Sequence, residues 1–361
     1  MKSIWKYESL LSPVESESRV LLGEGQTPMV RSRSIGKEIG IENLYFKLEH
    51  LNPTGSYKDR FAAKFISILN QRGIQCCFST SSGNTGAALA AYSAAAKIRC
   101  VMAIVDGAPE EKLNQIRVYG ASTYMIKGFG KDIKVTNEVF DLLESTAASL
   151  GVPLPISSYS YCSEGMEGVQ TIAYEIMEDD PEVEHIFCPA GGGGLTLAMA
   201  KGVLRYGTSF SRQMPKVHCV QPEGNDTIAS AIRNNQPPKA VAHSETKISG
   251  LQVPGVLDGA ELVKVCAQLK GNGYVIRDEE AFAFHRKLAL EEGIFCEPAG
   301  AVALAGAALA ARSGELKPGE PVVCLVTGSG FKDMKSASQF FHSNKTEILG
   351  SADQLIEVLN T

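Results

Sequence analysis

The chain has a single tryptophan among 361 residues, and no stretch approaches the roughly 18 consecutive apolar residues that a membrane-spanning helix needs. Its opening residues, MKSIWKYESLLSPVES, lack the unbroken apolar core of a secretory signal. No long basic block occurs and the net charge is -5, which argues against nucleic acid as a main partner, and the missing apolar run argues against a membrane. Neither G-x-x-x-x-G-K-[ST] nor a G-x-G-x-x-G with a downstream acid is present, so a nucleoside triphosphate or a dinucleotide is disfavoured against a monophosphate. The nine cysteines are odd in number and include no Cys-x-x-Cys pair. Most fall in strand-like runs, as in HIFCPA, KVHCVQ and VVCLV, so they are expected as buried thiols of a cytoplasmic protein. A redox or metal-ligating role for Cys76-Cys77 or Cys296 is the alternative.

What is present is an alternation of short β-branched runs with longer alanine-rich stretches, the mark of an α/β fold. Strands are expected over 41–50, 75–80, 99–106 and in STYMIKG, with helices over 58–72, 85–98 and 109–120. The same rhythm resumes with EHIFCPA and continues through KVHCVQP to PVVCLVTGSG. At 44% hydrophobic, a chain of this length can bury two cores. Residues 234–255 are the least regular stretch and are expected to form a long loop at a mouth or interface.

Three turns follow expected strands, where doubly wound sheets collect ligands. Lys58 lies in Asn52-Pro53-Thr54-Gly55-Ser56-Tyr57-Lys58-Asp59-Arg60, at the entrance to a helix that Ser56 is placed to cap. A lysine there feels a dipole that disfavours its charge and lowers its pKa; the bland alternative is a solvated surface lysine. Gly191, Gly192, Gly193 and Gly194 join a strand to a helix, an arrangement that aims backbone N–H groups at a phosphate or makes a plain flexible turn. Ser81-Ser82-Gly83-Asn84-Thr85 offers hydroxyls and N–H groups to a carboxylate, or caps its own helix. Thr327-Gly328-Ser329-Gly330 carries hydroxyls that suit a heterocyclic nitrogen, or is an ordinary strand-end turn.

Taken in order, GEGQTP (23–28), NPTGSYKDR (52–60), SSGNTG (81–86), EKLNQIRVYGA (111–121), GGGGL (191–195), EEGIFCEPAGA (291–301) and TGSGFKD (327–333) resemble fold-type II pyridoxal-phosphate enzymes. The chain is most similar to threonine synthases, with threonine dehydratase, cysteine synthase and cystathionine β-synthase as relatives. The resemblance implies two doubly wound α/β domains of the tryptophan-synthase-β type with the cofactor in the cleft between them. The smaller domain would span 45–160 and the larger 1–44 with 161–361. Lys58 would bind the cofactor aldehyde covalently and act as the base at Cα. Asn84 would donate to the ring oxygen, Gly191 to Gly194 and the Leu195 N–H would cradle the phosphate, and Thr327, or less readily Ser329, would face the pyridine nitrogen. Ser81, Ser82 and Thr85 would hold the substrate carboxylate, with Ser82 also in the catalytic set and Ser160 at the substrate. The family pattern has Phe where this chain has Tyr57. A homodimer acting on a small amino acid is implied.

The implied reaction is elimination or replacement at Cβ or Cγ, because a hydroxyl at the pyridine nitrogen makes a weaker electron sink than a carboxylate would. A serine or threonine dehydratase, a cysteine-synthase-like β-replacement enzyme and a non-catalytic cofactor-binding relative are the alternatives. Similar threonine synthases carry an arginine that grips a substrate phosphate, and Gly165 stands at that position here. Lys112 and Arg117 are the candidates to compensate. In the family that this chain resembles, the motif EEGIFCEPAGA lies near the cofactor, and some relatives place a cation by the glutamate corresponding to Glu297; here Glu297 is expected to cap the helix that follows it, and no metal is expected.

Overall fold

The computed structural model describes residues 3–108, 110–339, 346 and 348–359. Among the described residues, nine strands form two sheets: β1 (Met29–Arg31), β2 (Leu44–Lys47), β3 (Cys76–Ser79), β4 (Arg99–Ile104), β5 (Ser122–Met125), β6 (His185–Pro189), β7 (Lys216–Pro222), β8 (Gly273–Ile276) and β9 (Val322–Leu325). The six-stranded sheet has the order β1-β2-β9-β6-β7-β8, and the three-stranded sheet has β3-β4-β5. Only β1 runs antiparallel to its neighbour; every other pairing is parallel. The expected α/β class is what the chain adopts.

Parallel sheets need helices on both faces, and their strands then read as continuous apolar runs. All residues of β6 and β9 are buried. The helix Val302–Arg312 packs on β6 to β9, while Gly194–Phe210 lies against β6 and β7. One core cluster joins Phe61, Phe65, Tyr92, Met166, Tyr174 and Met199, linking the smaller sheet to the helices beneath the larger. A second gathers Phe46, Phe187, Tyr274 and Leu304.

The helix expected over 58–72 runs from Lys58 to Gln71, and the alanine-rich helix from Asn84 to Ala95. Two long helices were not expected: Ile133–Ser149, and Tyr159–Asp179, which packs against both Lys58–Gln71 and Gly194–Phe210. The division at residue 45 cuts through β2. Tyr45 and Phe46 pair with Val323 and Cys324 of β9, so 45–47 lie in the larger sheet.

Arg60 is fully buried and reaches Glu49 at 2.6 Å and Glu175 at 2.5 Å, while Lys47 of β2 meets Glu175 at 2.8 Å. Burial opposes ionisation of Glu175, yet Arg60 and Lys47 hold its carboxyl well below the ordinary range. The Asp-Arg pair after Lys58 thus points inward. Asp59 accepts from the Thr54 N–H at 2.7 Å and its hydroxyl at 2.5 Å, bracing the loop before the helix.

Candidate active site

A cleft of about 1010 Å³ lies between the two sheets, at the carboxyl ends of β3, β6 and β9. It is lined by Lys58, by Ser81 to Thr85, by Gly191 to Leu195 and by Thr327, with Ser249 to Val253 of the long loop at its rim. Of the stretch 234–255, expected at a mouth or interface, residues 249–253 thus line the cleft.

Lys58 is the first residue of its helix, and its Nζ donates to Ser157 Oγ at 2.8 Å and lies 4.4 Å from the Tyr57 ring centroid. Burial pushes its amine down to about 7, against the upward pull of Glu297 and Asp258. An amine near neutrality at physiological pH is a competent nucleophile and base. Ser56 does not cap this helix: Tyr57 holds the cap position with no side-chain bond, and Ser56 pairs its backbone with Gly328.

The glycine run is built around close approach. Gly193 has φ +93°, open to glycine and strained for other residues. A Cβ on Gly192 would lie 2.6 Å from Leu257, and one on Gly194 would lie 2.8 Å from the Ser157 carbonyl. Gly194 opens the helix Gly194–Phe210, whose first-turn N–H groups, Leu195 included, have no intrahelical acceptor, an arrangement suited to binding an anion.

Ser81, Ser82, Asn84 and Thr85 all reach the cleft. Ser81 Oγ accepts from the Gly86 N–H at 3.1 Å and the Gly83 N–H at 3.3 Å, so it braces its own helix start. Asn84 Nδ2 donates to both oxygens of Glu297, at 3.0 and 3.2 Å. Glu297 makes no side-chain bond to the turn it precedes, so the capping role expected of it is replaced by this contact across the cleft.

Thr327 Oγ1 is buried and has no hydrogen-bond partner among the described residues. Leaving such a hydroxyl unpaired costs roughly 1–3 kcal/mol, and it sits on the cleft wall. A buried orphan hydroxyl, a glycine cradle at a helix start and an enclosed amine of lowered pKa together fit an aldehyde cofactor with a ring nitrogen and a phosphate.

Ser160 is placed elsewhere. Its hydroxyl donates to Asp258 at 2.9 Å and its N–H to the same carboxylate at 3.0 Å, and it is not part of the cleft lining. Gly165 lies inside Tyr159–Asp179, and a Cβ there would be 2.5 Å from the Phe61 ring. Arg117 binds Glu110 and Thr123 on an exposed face, and the side chain of Lys112 lies outside the described residues.

Four participants escaped the sequence reading. Ser157 receives Lys58, Asp258 organises the segment 158–160, and Lys332 donates to Gln115 Oε1 at 2.7 Å on the cleft wall. Burial lowers the Lys332 amine, with Glu297 and Asp59 pulling the other way. Lys332 and Gln115 had a signal, since they sit within TGSGFKD and EKLNQIRVYGA; Ser157 and Asp258 lie in segments without a recognisable pattern. Among the described residues, no helix is long and apolar enough to cross a membrane.

Residues 20–328 match the family model described as "Pyridoxal-phosphate dependent enzyme". The chain is 33% identical over 336 residues to a threonine synthase of Halalkalibacterium halodurans, covering 92% of this chain and 90% of that one. A threonine synthase of Methanocaldococcus jannaschii is 32% identical over 343 residues, with 92% and 82% covered. Among solved structures, the processed form of threonine deaminase isoform 2 from Solanum lycopersicum superposes with a TM-score of 0.72 at 20% identity, covering 93% of this chain and 87% of that one. Maize serine racemase gives 0.70 at 22% identity, covering 88% and 93%; at such identities the likeness concerns the fold. With the family model spanning most of its length, the chain belongs to the pyridoxal-phosphate dependent enzymes, and pyridoxal phosphate is its cofactor.

Proposed function

We propose that this protein is a threonine-synthase-like enzyme that acts on an L-amino acid carrying a leaving group at Cβ or Cγ, by elimination or replacement. The observation that carries the reading is Lys58, an enclosed amine with its pKa lowered to about 7 in the same cleft as the glycine cradle. When bound, pyridoxal phosphate supplies the electron sink that labilises bonds at the substrate Cα. Lys58 anchors the cofactor and, once released, moves the Cα proton with its Nζ. The N–H groups of Gly191 to Leu195 would hold the phosphate, Asn84 Nδ2 would donate to the ring oxygen, and the Thr327 hydroxyl would meet the ring nitrogen. Ser82 and Thr85 take the substrate carboxylate with the free N–H groups of the helix at Asn84. The smaller lobe is the three-stranded sheet with its helices, and the larger is built on the six-stranded sheet.

Two observations favour an uncharged leaving group, and with it the dehydratase or O-acyl β-replacement reading, over a phosphate ester. Gly165 is packed on Phe61 with no room for a side chain. The lysines of the described cleft lining are Lys58 and Lys332; Glu297 acts on both, and Lys332 is already held by Gln115. The reading extends to a cytoplasmic protein, supported by nine free thiols, and to a homodimer, supported by the family resemblance.

The test is a substrate screen of the purified protein with serine, threonine, homoserine, O-acetylserine, O-phosphoserine and O-phosphohomoserine, following cofactor absorbance and products. Keto acid without an added nucleophile marks a dehydratase. Product that needs a second nucleophile marks a synthase. Turnover of O-phosphohomoserine above the uncharged substrates overturns the leaving-group assignment, and full activity in Lys58→Ala overturns the reading as a whole.

A further inference from the structure

Glu297 precedes the turn Pro298–Ala301 but leaves its carboxylate unused by that turn. Its backbone is pinned beside Thr327: the Glu297 N–H donates to the Gly328 carbonyl at 2.9 Å, and Cys296 bridges Ser329. The carboxylate lies over Gly328 so closely that a Cβ there would be 2.3 Å from Glu297 Oε1. From this fixed base it accepts Asn84 Nδ2 on both oxygens. Asn84 begins the helix after β3 of the smaller sheet, whereas Glu297 lies next to the β9 turn of the larger one.

An asparagine amide can present either its oxygen or its nitrogen to a given point, and surrounding hydrogen bonds decide which. Rotating the Asn84 amide by half a turn would set Oδ1 against the Glu297 carboxylate, acceptor against acceptor. The two oxygens of one carboxylate lie close together and share a single N–H of Asn84, so the second N–H of the same nitrogen remains for the cleft. Acceptance by Glu297 therefore selects the donor face of Asn84, and only a donor can bind an anionic ring oxygen.

We propose that Glu297 is a positioning residue for the cofactor: it fixes the Asn84 amide across the cleft with its nitrogen turned to the site of the ring oxygen. Glu297 acts through Asn84. The proposal rests on the reading that pyridoxal phosphate occupies this cleft with Asn84 at its ring oxygen. An alternative placing of Glu297, as a purely structural brace, has a different energetic signature, because its loss would then be independent of Asn84.

Equilibrium binding of pyridoxal phosphate to the apoprotein tests this, in wild type, Glu297→Met, Glu297→Gln, Asn84→Ala and the double variant Glu297→Met/Asn84→Ala. Methionine fills the volume and accepts no strong hydrogen bond; glutamine keeps an acceptor and removes the charge. Glu297→Met is expected to weaken cofactor binding about tenfold, equivalent to about 1.4 kcal/mol. Glu297→Gln should bind within about threefold of wild type, and the double variant should be no weaker than Asn84→Ala, the non-additivity of a pair acting as one unit. Wild-type affinity in Glu297→Met overturns the proposal, as does full addition in the double variant or a Glu297→Gln as weak as Glu297→Met. If Glu297→Met does not fold, Glu297→Gln against Glu297→Ala gives the same comparison. Wild-type apoprotein that takes up no pyridoxal phosphate sinks the functional reading together with this one, whereas uptake that ignores Glu297 sinks this one alone.

Discussion

The Lys58 ammonium donates to Ser157 Oγ at 2.8 Å, tying the first residue of one helix to a loop 99 residues further along the chain. Ser157 in turn leans on Met166, with its Oγ 3.4 Å from Sδ. The hydroxyl bonds the amine directly, while burial works against the charge.

The first expectation concerns pH. Only neutral Lys58 attacks an aldehyde, so covalent uptake of pyridoxal phosphate by the apoprotein should rise with pH through a midpoint near the lowered Lys58 pKa of about 7. Linkage has a definite sign here. Between about 7 and the ordinary 10.5 the unfolded chain holds a proton that the folded chain has lost, so this group's contribution to stability increases with pH across that window. Ser157→Ala removes an acceptor of the ammonium and should move the midpoint lower. A stopped-flow midpoint near that of an exposed lysine would contradict the enclosed amine.

Thr327→Val offers two effects of opposite sign. Valine replaces an unpaired buried hydroxyl with a methyl of the same shape, so the apoprotein should melt at the same temperature or higher. Cofactor affinity should fall, because the ring nitrogen loses its partner. Thermal melts with and without pyridoxal phosphate measure both, and an apoprotein destabilised by more than about 1 kcal/mol would mean that Thr327 Oγ1 has a structural partner.

Gly193→Ala strains a residue at φ +93° and brings a Cβ to 2.9 Å from Ile228 Cδ1. A loss of about 1–2 kcal/mol in stability is expected. Weaker binding of the phosphate-bearing cofactor should accompany it, with pyridoxal lacking the phosphate much less affected. Equal losses for the two compounds would detach the glycine run from the phosphate.

Arg60→Met should be the most destabilising of these changes. It leaves Glu49 and Glu175 buried without their shared cation, a situation that costs about 3–5 kcal/mol. Chemical denaturation of the apoprotein reads it directly, and a loss below about 1 kcal/mol would show that Lys47 alone satisfies the carboxylates.

Local pattern carried much of the fold and part of the site. Strand, turn and helix followed one another at Cys76–Ser79, Ser81–Gly83 and Asn84–Ala95 because apolar runs, small residues and helix-start chemistry act within a few residues. The glycine run was legible for the same reason. Ser160 was not, because its partner Asp258 lies 98 positions away, and no spacing rule announces which distant carboxylate a serine meets. Glu297 looked like a cap since its own neighbours favour one; the amide that claims it arrives from the other sheet. The long helix Tyr159–Asp179 was hidden by two glycines, Gly165 and Gly168, whose bare backbones let Phe61 and Arg60 press against it.

The ion pairs around Arg60 give the cleft a fixed jaw. Lys58 begins the helix that carries Arg60, and through Glu49, Glu175 and Lys47 that helix is fastened to β2 of the larger sheet. A widening of the cleft that kept those pairs intact would have to part the helix Lys58–Gln71 from Asn84–Ala95, which pack against each other, to carry Ser82, Asn84 and Thr85 away from Lys58. The grip on a substrate carboxylate would then slacken while the nucleophile stays aimed at the glycine cradle.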